Sequence, residues 1–386
     1  MNSRAMIAAS MLVLLLFACA IHSSSDRYAL APGSPLSLGS GAGRPVLADM
    51  NGDGVLDIVA PHDAAEEPKG RVTVFLGNGD GTFRRSGTSA RVPLGGLKVA
   101  AGDLDEDGHV DVAVGAHDAY EVHLLFGDGA GGFRAEPEIV TTRTGDQPHT
   151  HSVALGDVDA DGHLDLLVAN ADHNDVSVLL GNGDGDFTPA SGSPFPAGVH
   201  PYEGIALDDI DGDRHLDIVL PNLHGGTISL LLGDGEGAFA HAPGSPFSVA
   251  PRPGSVCTGD LDGDGRVEIV ASHDSGAKLS VLHRTDTGFA PHPQSPLSLD
   301  DRAWDVRIVD LDGDGRNDLV AGGVESDLFL HLSSRETALP ARSTRLSSGA
   351  EGPGYLAIGD LHGDGLLDIV TGNFTSHDLS ILLAVQ

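Results

Sequence analysis

The sequence predicts an all-β protein of seven repeated units closed into a ring, and three observations predict it. An acidic stretch, clearest as Asp310-Leu-Asp-Gly-Asp-Gly-Arg-Asn-Asp318, begins again at Asp49, Asp103, Asp157, Asp209, Asp260 and Asp360, with starts 50 to 54 residues apart. A fixed period in that range marks a repeat architecture. Each copy is followed by a β-branched, apolar run, as in Asp57-Ile-Val-Ala, Asp111-Val-Ala-Val, Asp217-Ile-Val-Leu and Asp368-Ile-Val-Thr, and is preceded by another strand-like run such as Val99-Ala-Ala-Gly. Each acidic loop therefore joins two strands of a hairpin. Finally, the start of the chain carries the piece that its last repeat lacks.

In the acidic stretch, carboxylates at alternate positions can all turn inward on a tightly curled loop. In the copy at Asp310, Gly315 allows the sharp turn, the carbonyl of Arg316 adds an oxygen and Asp318 closes the shell. So many hard oxygens suit Ca²⁺, which takes 6–8 at about 2.3–2.6 Å; with no soft or nitrogen ligand in this copy, zinc and copper are disfavoured. An EF-hand would close with Glu at position twelve between helices, whereas here the closing acid is the ninth residue and a strand follows. A row of solvated Asp-Gly turns is the competing reading, and seven copies in register argue against it. The expected ligands are Asp49, Asn51, Asp53 and Asp57; Asp103, Asp105, Asp107 and Asp111; Asp157, Asp159, Asp161 and Asp165; Asp209, Asp211, Asp213 and Asp217; Asp260, Asp262, Asp264 and Glu268; Asp310, Asp312, Asp314 and Asp318; and Asp360, Asp364 and Asp368.

With these residues the chain resembles the FG-GAP, or VCBS-type, repeat proteins, whose relatives include the integrin α-subunit propellers. The resemblance spans nearly all of the chain after residue 25. It implies a seven-bladed β-propeller with one four-stranded antiparallel blade per repeat and Ca²⁺ held between the first and second strands. Four copies depart from the pattern. Asn51 replaces an acid but still offers an oxygen, and Glu268 is longer by a methylene and can still reach. Arg214 replaces the turn glycine, where a bulky side chain at positive φ is unfavourable, and His362 replaces an oxygen with imidazole. The fourth and seventh sites are expected to be the weakest or empty.

Residues 1–25 read as a leader, with Arg4 in a positive n-region and Met6–Ala18 an apolar run short for a bilayer span. Two endings stay open. Leu16-Phe-Ala-Cys19 resembles a bacterial lipoprotein box with Cys19 lipidated, and Ala18-Cys-Ala20 fits ordinary cleavage after Ala20. Export is expected either way, as a cell-envelope lipoprotein or a secreted protein. Residues 26–386 form the single propeller domain, expected to be a monomer. Its one cysteine, Cys257, stands where other repeats carry Ala100, Ala154, Ala206 and Ala357, and reads as a small buried residue rather than a nucleophile.

Third strands follow, such as Arg71-Val-Thr-Val-Phe-Leu and Thr227-Ile-Ser-Leu-Leu-Leu, and then glycine-rich turns such as Gly77-Asn-Gly-Asp-Gly-Thr-Phe83. These turns lead into no helix and carry no Lys-Ser/Thr, so they are hairpin turns rather than phosphate loops. Fourth strands carry Ser193-Pro-Phe, Ser245-Pro-Phe and Ser295-Pro-Leu; proline belongs on an edge. Pro35 precedes Asp49 by 14 residues, as Pro246 precedes Asp260 and Pro296 precedes Asp310, while the last repeat ends at its third strand, Leu379-Ser-Ile-Leu-Leu. The N-terminal segment around Ser34-Pro-Leu36 therefore completes the last blade.

The formal net charge is −34, and 26 of the 56 acidic residues stand at motif positions. What remains is still acidic and disfavours nucleic acid and anionic membranes; contact with a membrane is expected only through a lipid anchor.

On the face opposite the acidic loops, six of seven loops after second strands offer a histidine: His62, His117, His173, His224, His273 and His377. Loops entering the first strands add Arg44, Lys98, His149, His151, His200, Tyr202, Glu203, Arg252, Trp304, Asp305 and Tyr355. A glycan or protein ligand is expected there, with His151, His200, Tyr202, Arg252, Trp304 and Tyr355 as candidate contacts; Trp304 equally reads as a plug of the channel. The His-Asp pairs also read as turn-stabilising groups copied by duplication, or as transition-metal ligands with no ligand set fixed. No nucleophile with a base, catalytic insert or cofactor loop stands out, and the histidines look spread around the ring. A binding module is the favoured reading. A polysaccharide lyase or hydrolase using Asp146-Gln-Pro-His-Thr-His151 and His200-Pro-Tyr-Glu203 is the alternative, and a structural envelope component is a third.

Overall fold

The computed structural model describes residues 27–64, 69–87, 89–92, 98–134, 137–143, 149–286, 288–325, 327–334, 339 and 343–385. The leader, Cys19 and the segment 144–148 with Asp146 lie outside the described residues. Seven antiparallel sheets follow one another along the chain. In the third blade the strands run Thr150–Gly156, Asp165–Asn170 and Asp175–Gly181, followed by an outer strand in two pieces, Phe187–Pro189 and Phe195–Pro196.

The second strands are apolar runs without alternation because both of their faces are covered. Asp165–Asn170 and Asp368–Asn373 are buried at every residue. The core is divided into layers between adjacent blades. Leu167, Ala169 and Val178 of the third blade pack with Ile218, Leu220 and Leu231 of the fourth, and Val320 and Leu330 of the sixth pack with Leu356, Ile369 and Leu382 of the seventh. Burial of each such leucine, isoleucine or valine contributes about 1.5–3 kcal/mol relative to exposure.

The ring closes through the same kind of layer. Ile58, Ala60 and Phe75 of the first blade pack with Val370, Leu379 and Ile381 of the last. At that seam Gly359 leaves room for a neighbour, since a Cβ there would lie 2.8 Å from Leu56 and 3.0 Å from Leu47. The last blade, Tyr355–Gly359, Asp368–Asn373 and Asp378–Ala384, takes its outer strand from the start of the chain. Tyr28 pairs with Ala384 and Leu30 with Leu382; beyond a turn, Leu36 pairs with Leu379.

The Ser-Pro signature has a specific task. Where the outer strand is interrupted, the serine hydroxyl oxygen accepts the third-strand N–H: Ser193 from Val178 at 2.9 Å, Ser245 from Leu230 at 2.9 Å and Ser295 from Val281 at 3.0 Å. Ser34 does the same for Ile381 at 2.9 Å. All four Ser-Pro bonds are cis. The expected outer strand is thus present, and it is split in two around the proline.

Candidate functional site

A cavity of about 450 Å³ opens on the face opposite the acidic loops. Every blade contributes to its wall, in order Asp63, His117, His151, Tyr202, Asp274, Trp304 and Tyr355, which places it on the axis of the ring. The loops that enter first strands and those that leave second strands converge there, as the antiparallel order of each blade requires.

Two ion clusters built from non-adjacent blades brace this centre. Asp305 is fully buried and accepts hydrogen bonds from Arg44 Nη2 (3.2 Å), Ser255 Oγ (3.1 Å) and the N–H of Leu356 (3.2 Å). Burial alone would raise its carboxyl, but the Arg307 and Arg44 guanidiniums hold it below the usual range. Arg44 and Asp305 were expected on the recognition surface; they are spent on each other, past the blade that separates theirs. Lys98 Nζ lies 3.1 Å from Glu203 Oε2 and 4.0 Å from the Tyr355 ring centroid. Its burial pushes the ammonium down, against the pull of Glu203.

The aromatic part of the wall is continuous. Trp304 lies 5.8 Å from Tyr355 and 5.3 Å from Phe374, between ring centroids. Trp304 is half-buried on the wall and leaves the cavity open. Phe374, 38 % exposed, was missed in the sequence, where a phenylalanine directly after a second strand carries no periodic signal.

The histidines expected on this face play different parts. His62 stands next to the end of its second strand and His273 at the end of its own, and both are buried. Their Nε2 atoms lie 2.9 Å from Thr73 Oγ1 and Ser280 Oγ on the third strand. Asn170, Asn222 and Asn373 occupy the same place and donate to Ser177, Ser229 and Ser380. Here the turn-stabilising reading holds. Burial pushes His273 down to about 4.

Five others gather, contrary to the expectation that they are spread around the ring, whereas His173 lies against Tyr120 at 5.5 Å between ring centroids and His377, at φ 61°, is not among them. His117, His149, His151, His200 and His224 form one contiguous cluster across the second, third and fourth blades. Ring centroids are 4.6 Å apart for His117–His149, 4.3 Å for His149–His151, 5.4 Å for His151–His200 and 4.1 Å for His200–His224. Tyr202 abuts it, 4.3 Å from His151. Burial, then the neighbouring imidazoles, push His151 down to about 2 and His200 to about 4. These rings are neutral at ordinary pH.

On the opposite face, each acidic loop is drawn around its own carboxylates. In the first, Asp49 accepts N–H bonds from Gly52 (2.8 Å) and Gly54 (2.8 Å), and Asp53 from Val55 (2.9 Å). The ninth-position acid is buried and bridges elements. Asp57 takes the N–H of Met50 at 2.9 Å and of Gly77 at 2.8 Å, and Asp165 those of Val158 at 2.7 Å and Gly181 at 2.9 Å. Burial raises Asp165, Asp217 and Asp318 to about 6 and Glu268 to about 7. First, third and ninth positions converge: one oxygen from each of Asp103, Asp105 and Asp111 lies within 4.8 Å of the others, as for Asp157, Asp159 and Asp165.

The sequence of these loops matches the FG-GAP-like repeat over residues 63–114, 103–168, 157–220, 209–271, 261–321 and 310–371. The chain belongs to the FG-GAP-like repeat family. Among solved structures it is similar to a chain of the complex of BBS1N with ARL6DN, with TM-score 0.65 and 11% identity over 93% of this chain and 97% of that one. It is also similar to an Agrocybe aegerita lectin described as recognising non-reducing terminal N-acetylglucosamine, with TM-score 0.52 and 21% identity over 80% and 81% of the two chains. At these identities the likeness is one of fold.

Within the FG-GAP-like loops, the copies differ in several ways. Arg214 takes the strained φ of 78° and still gives its N–H to Asp209 at 2.9 Å. Glu106 and Ala160, two residues earlier in their loops, also adopt positive φ, 51° and 58°. His362 sits among its own acids, 2.9 Å from Asp368 and 3.2 Å from Asp364. Burial opposes its protonation, but the Asp368 hydrogen bond and the carboxylates around it raise the imidazole above its usual value. The seventh loop thus holds an imidazole against its motif acids. Arg134 similarly reaches Asp105 at 2.7 Å and Asp107 at 2.8 Å in the second. Of the ligand-face candidates, His151, Tyr202, Trp304 and Tyr355 line the cavity; His200 stands behind His151, and Arg252 pairs with Asp274 at the rim. Cys257 is buried with its thiol pushed up to about 12, which suits a packing residue.

Proposed function

We propose that this FG-GAP-like propeller is an exported, calcium-dependent binding module that takes a glycan or a protein loop in its axial cavity. The cavity carries the reading. Tyr202, Trp304, Tyr355 and Phe374 offer flat apolar surface, while Glu203, Asp63, Asp118 and Asp274 offer acceptors around them. Such a wall suits sugar rings, whose C–H faces stack on aromatics while their hydroxyls donate to carboxylates. Export rests on Arg4 and the apolar run Met6–Ala18.

Calcium rests on the loops. In the second loop Arg134 takes Asp105 Oδ2, yet Asp103 Oδ1 and Asp105 Oδ1 are buried with no donor, and an anionic oxygen left so is costly unless a cation serves it. Positions one, three, five and nine, with the seventh carbonyl, would hold the ion, which would neutralise carboxylates that otherwise repel one another. These loops lie on the other face from the cavity, so calcium would act on binding through the stability of the ring.

A screen of the calcium-loaded protein against glycans and envelope proteins, followed by calorimetry, tests the reading. Trp304→Ala and Tyr202→Ala should each weaken binding in graded steps of about 1–3 kcal/mol. Unchanged affinity in both, for whatever ligand emerges, sinks the axial site. The gathered histidines favour a second reading, a polysaccharide-acting enzyme, because catalysis concentrates its requirement in one place. Polysaccharide cleavage abolished by His200→Ala at an unaltered melting temperature is the result that would establish it.

A further inference from the structure

We propose that His117, His149 and His151 form a binding site for a transition-metal ion of the zinc class, distinct from the oxygen-rich loops. One ring nitrogen of each lies within 4.8 Å of the others. The tautomers are set by carboxylates. His117 Nδ1 lies 2.8 Å from Asp118 Oδ1, and His149 Nδ1 lies 3.1 Å from Asp172 Oδ1. An ionised carboxylate only accepts, so both Nδ1 atoms carry the proton and both Nε2 atoms present lone pairs. Those two Nε2 atoms face each other at 3.1 Å. Two lone pairs aimed together repel unless a cation lies between them. His151 adds a third nitrogen: its Nε2 is buried and has no hydrogen-bond partner, with the residue 9 % exposed.

The spacing suits an ion. Nitrogens bound at about 2.0–2.1 Å around a tetrahedral metal stand about 3.3 Å apart, so the observed His117–His149 distance needs little adjustment. Neutral imidazoles favour zinc, copper or nickel over calcium, whose sites are built from oxygen. Asp118 and Asp172 supply the outer carboxylates that orient metal-bound histidines. His117 and His151 line the axial cavity, so a fourth position would open towards it, for water or a donor atom of a bound ligand. The competing occupant of the gap is a proton shared between His117 and His149.

The test uses the full purified chain in saturating Ca²⁺, which fills the oxygen loops, and zinc alone as probe. Calorimetry should find one zinc per chain at neutral pH, with affinity falling as pH drops and the ligands protonate. His117→Ala and His149→Ala should each weaken binding by more than the about 10–100-fold that loss of an outer carboxylate costs. Asp172→Asn should fall within that range, and His273→Asn should change nothing. Should a ligand variant fail to fold, cobalt added to the unaltered protein decides, because tetrahedral nitrogen ligation gives intense visible bands. Absence of stoichiometric zinc binding, zinc affinity unmoved in His117→Ala and His149→Ala, or a weak six-coordinate cobalt spectrum overturns the site and leaves the shared proton. Failure here leaves the axial binding reading untouched, since no organic ligand enters the measurement.

Discussion

At the scale of the residue, one position is filled by two side chains for one purpose. The last residue of the second strand must satisfy the third-strand serine while buried, and asparagine does so in three blades, histidine in the fifth. The choice differs in pH response. His273 is held down to about 4, whereas in the unfolded chain it titrates near about 6.5. Its folded value is depressed, so its contribution to stability is complete above that unfolded value and is lost as pH falls towards 4. His273→Asn should keep the fold and flatten the decline of stability between pH 6.5 and 4 by on the order of 2 kcal/mol, measured by urea unfolding in calcium. An unchanged decline would show that other groups set it. His62, Asp63, His117 and Asp118 illustrate why such roles were only half legible. A His-Asp pair after a strand reads the same whether the histidine is the last buried residue or the first of the loop. One residue of offset separates the bracing His62 from the cavity-lining His117.

At the scale of the element, the outer strand of the last blade was legible because spacing counts survive without coordinates: Pro35 stands where Pro246 and Pro296 stand. Its Ser34 hydroxyl then repeats the bond seen in three other blades, a detail that the count implied and did not state. Deleting Tyr28–Gly39 should strip Asp378–Ala384 of its partner and leave a raw strand edge, which invites pairing with another chain. Aggregation, or rapid proteolysis where the parent resists, is expected on size exclusion and limited digestion. A monomeric truncation as stable as the parent would refute the clasp. The histidine cluster was illegible at this scale. Its members come from three blades, and their contact depends on how the loops into first strands fold over the axis.

At the scale of the whole molecule, the acidic face gathers charges that repel unless neutralised, and the loops that carry them also anchor the second and third strands through the ninth-position acids. Ion binding to the folded state alone would add about 2.7 kcal/mol per site at a hundredfold excess over Kd. EDTA should therefore lower the melting temperature markedly, and calcium should restore it. An EDTA-insensitive melt, with no calcium by elemental analysis, would remove the cofactor from the reading. The seven-unit ring was legible because repetition multiplies a weak local signal, and the cavity was legible only as a face. The clasp carries one more meaning. Val385 donates its N–H to the carbonyl of Arg27 at 2.7 Å, so the described stretch begins and finishes side by side in a single sheet. Nothing in the inter-blade layers records which unit comes first. A circularly permuted chain, opened at a glycine-rich turn and joined across that pair, would keep every layer in place, so the order of units in the gene is one of several that would draw the same circle.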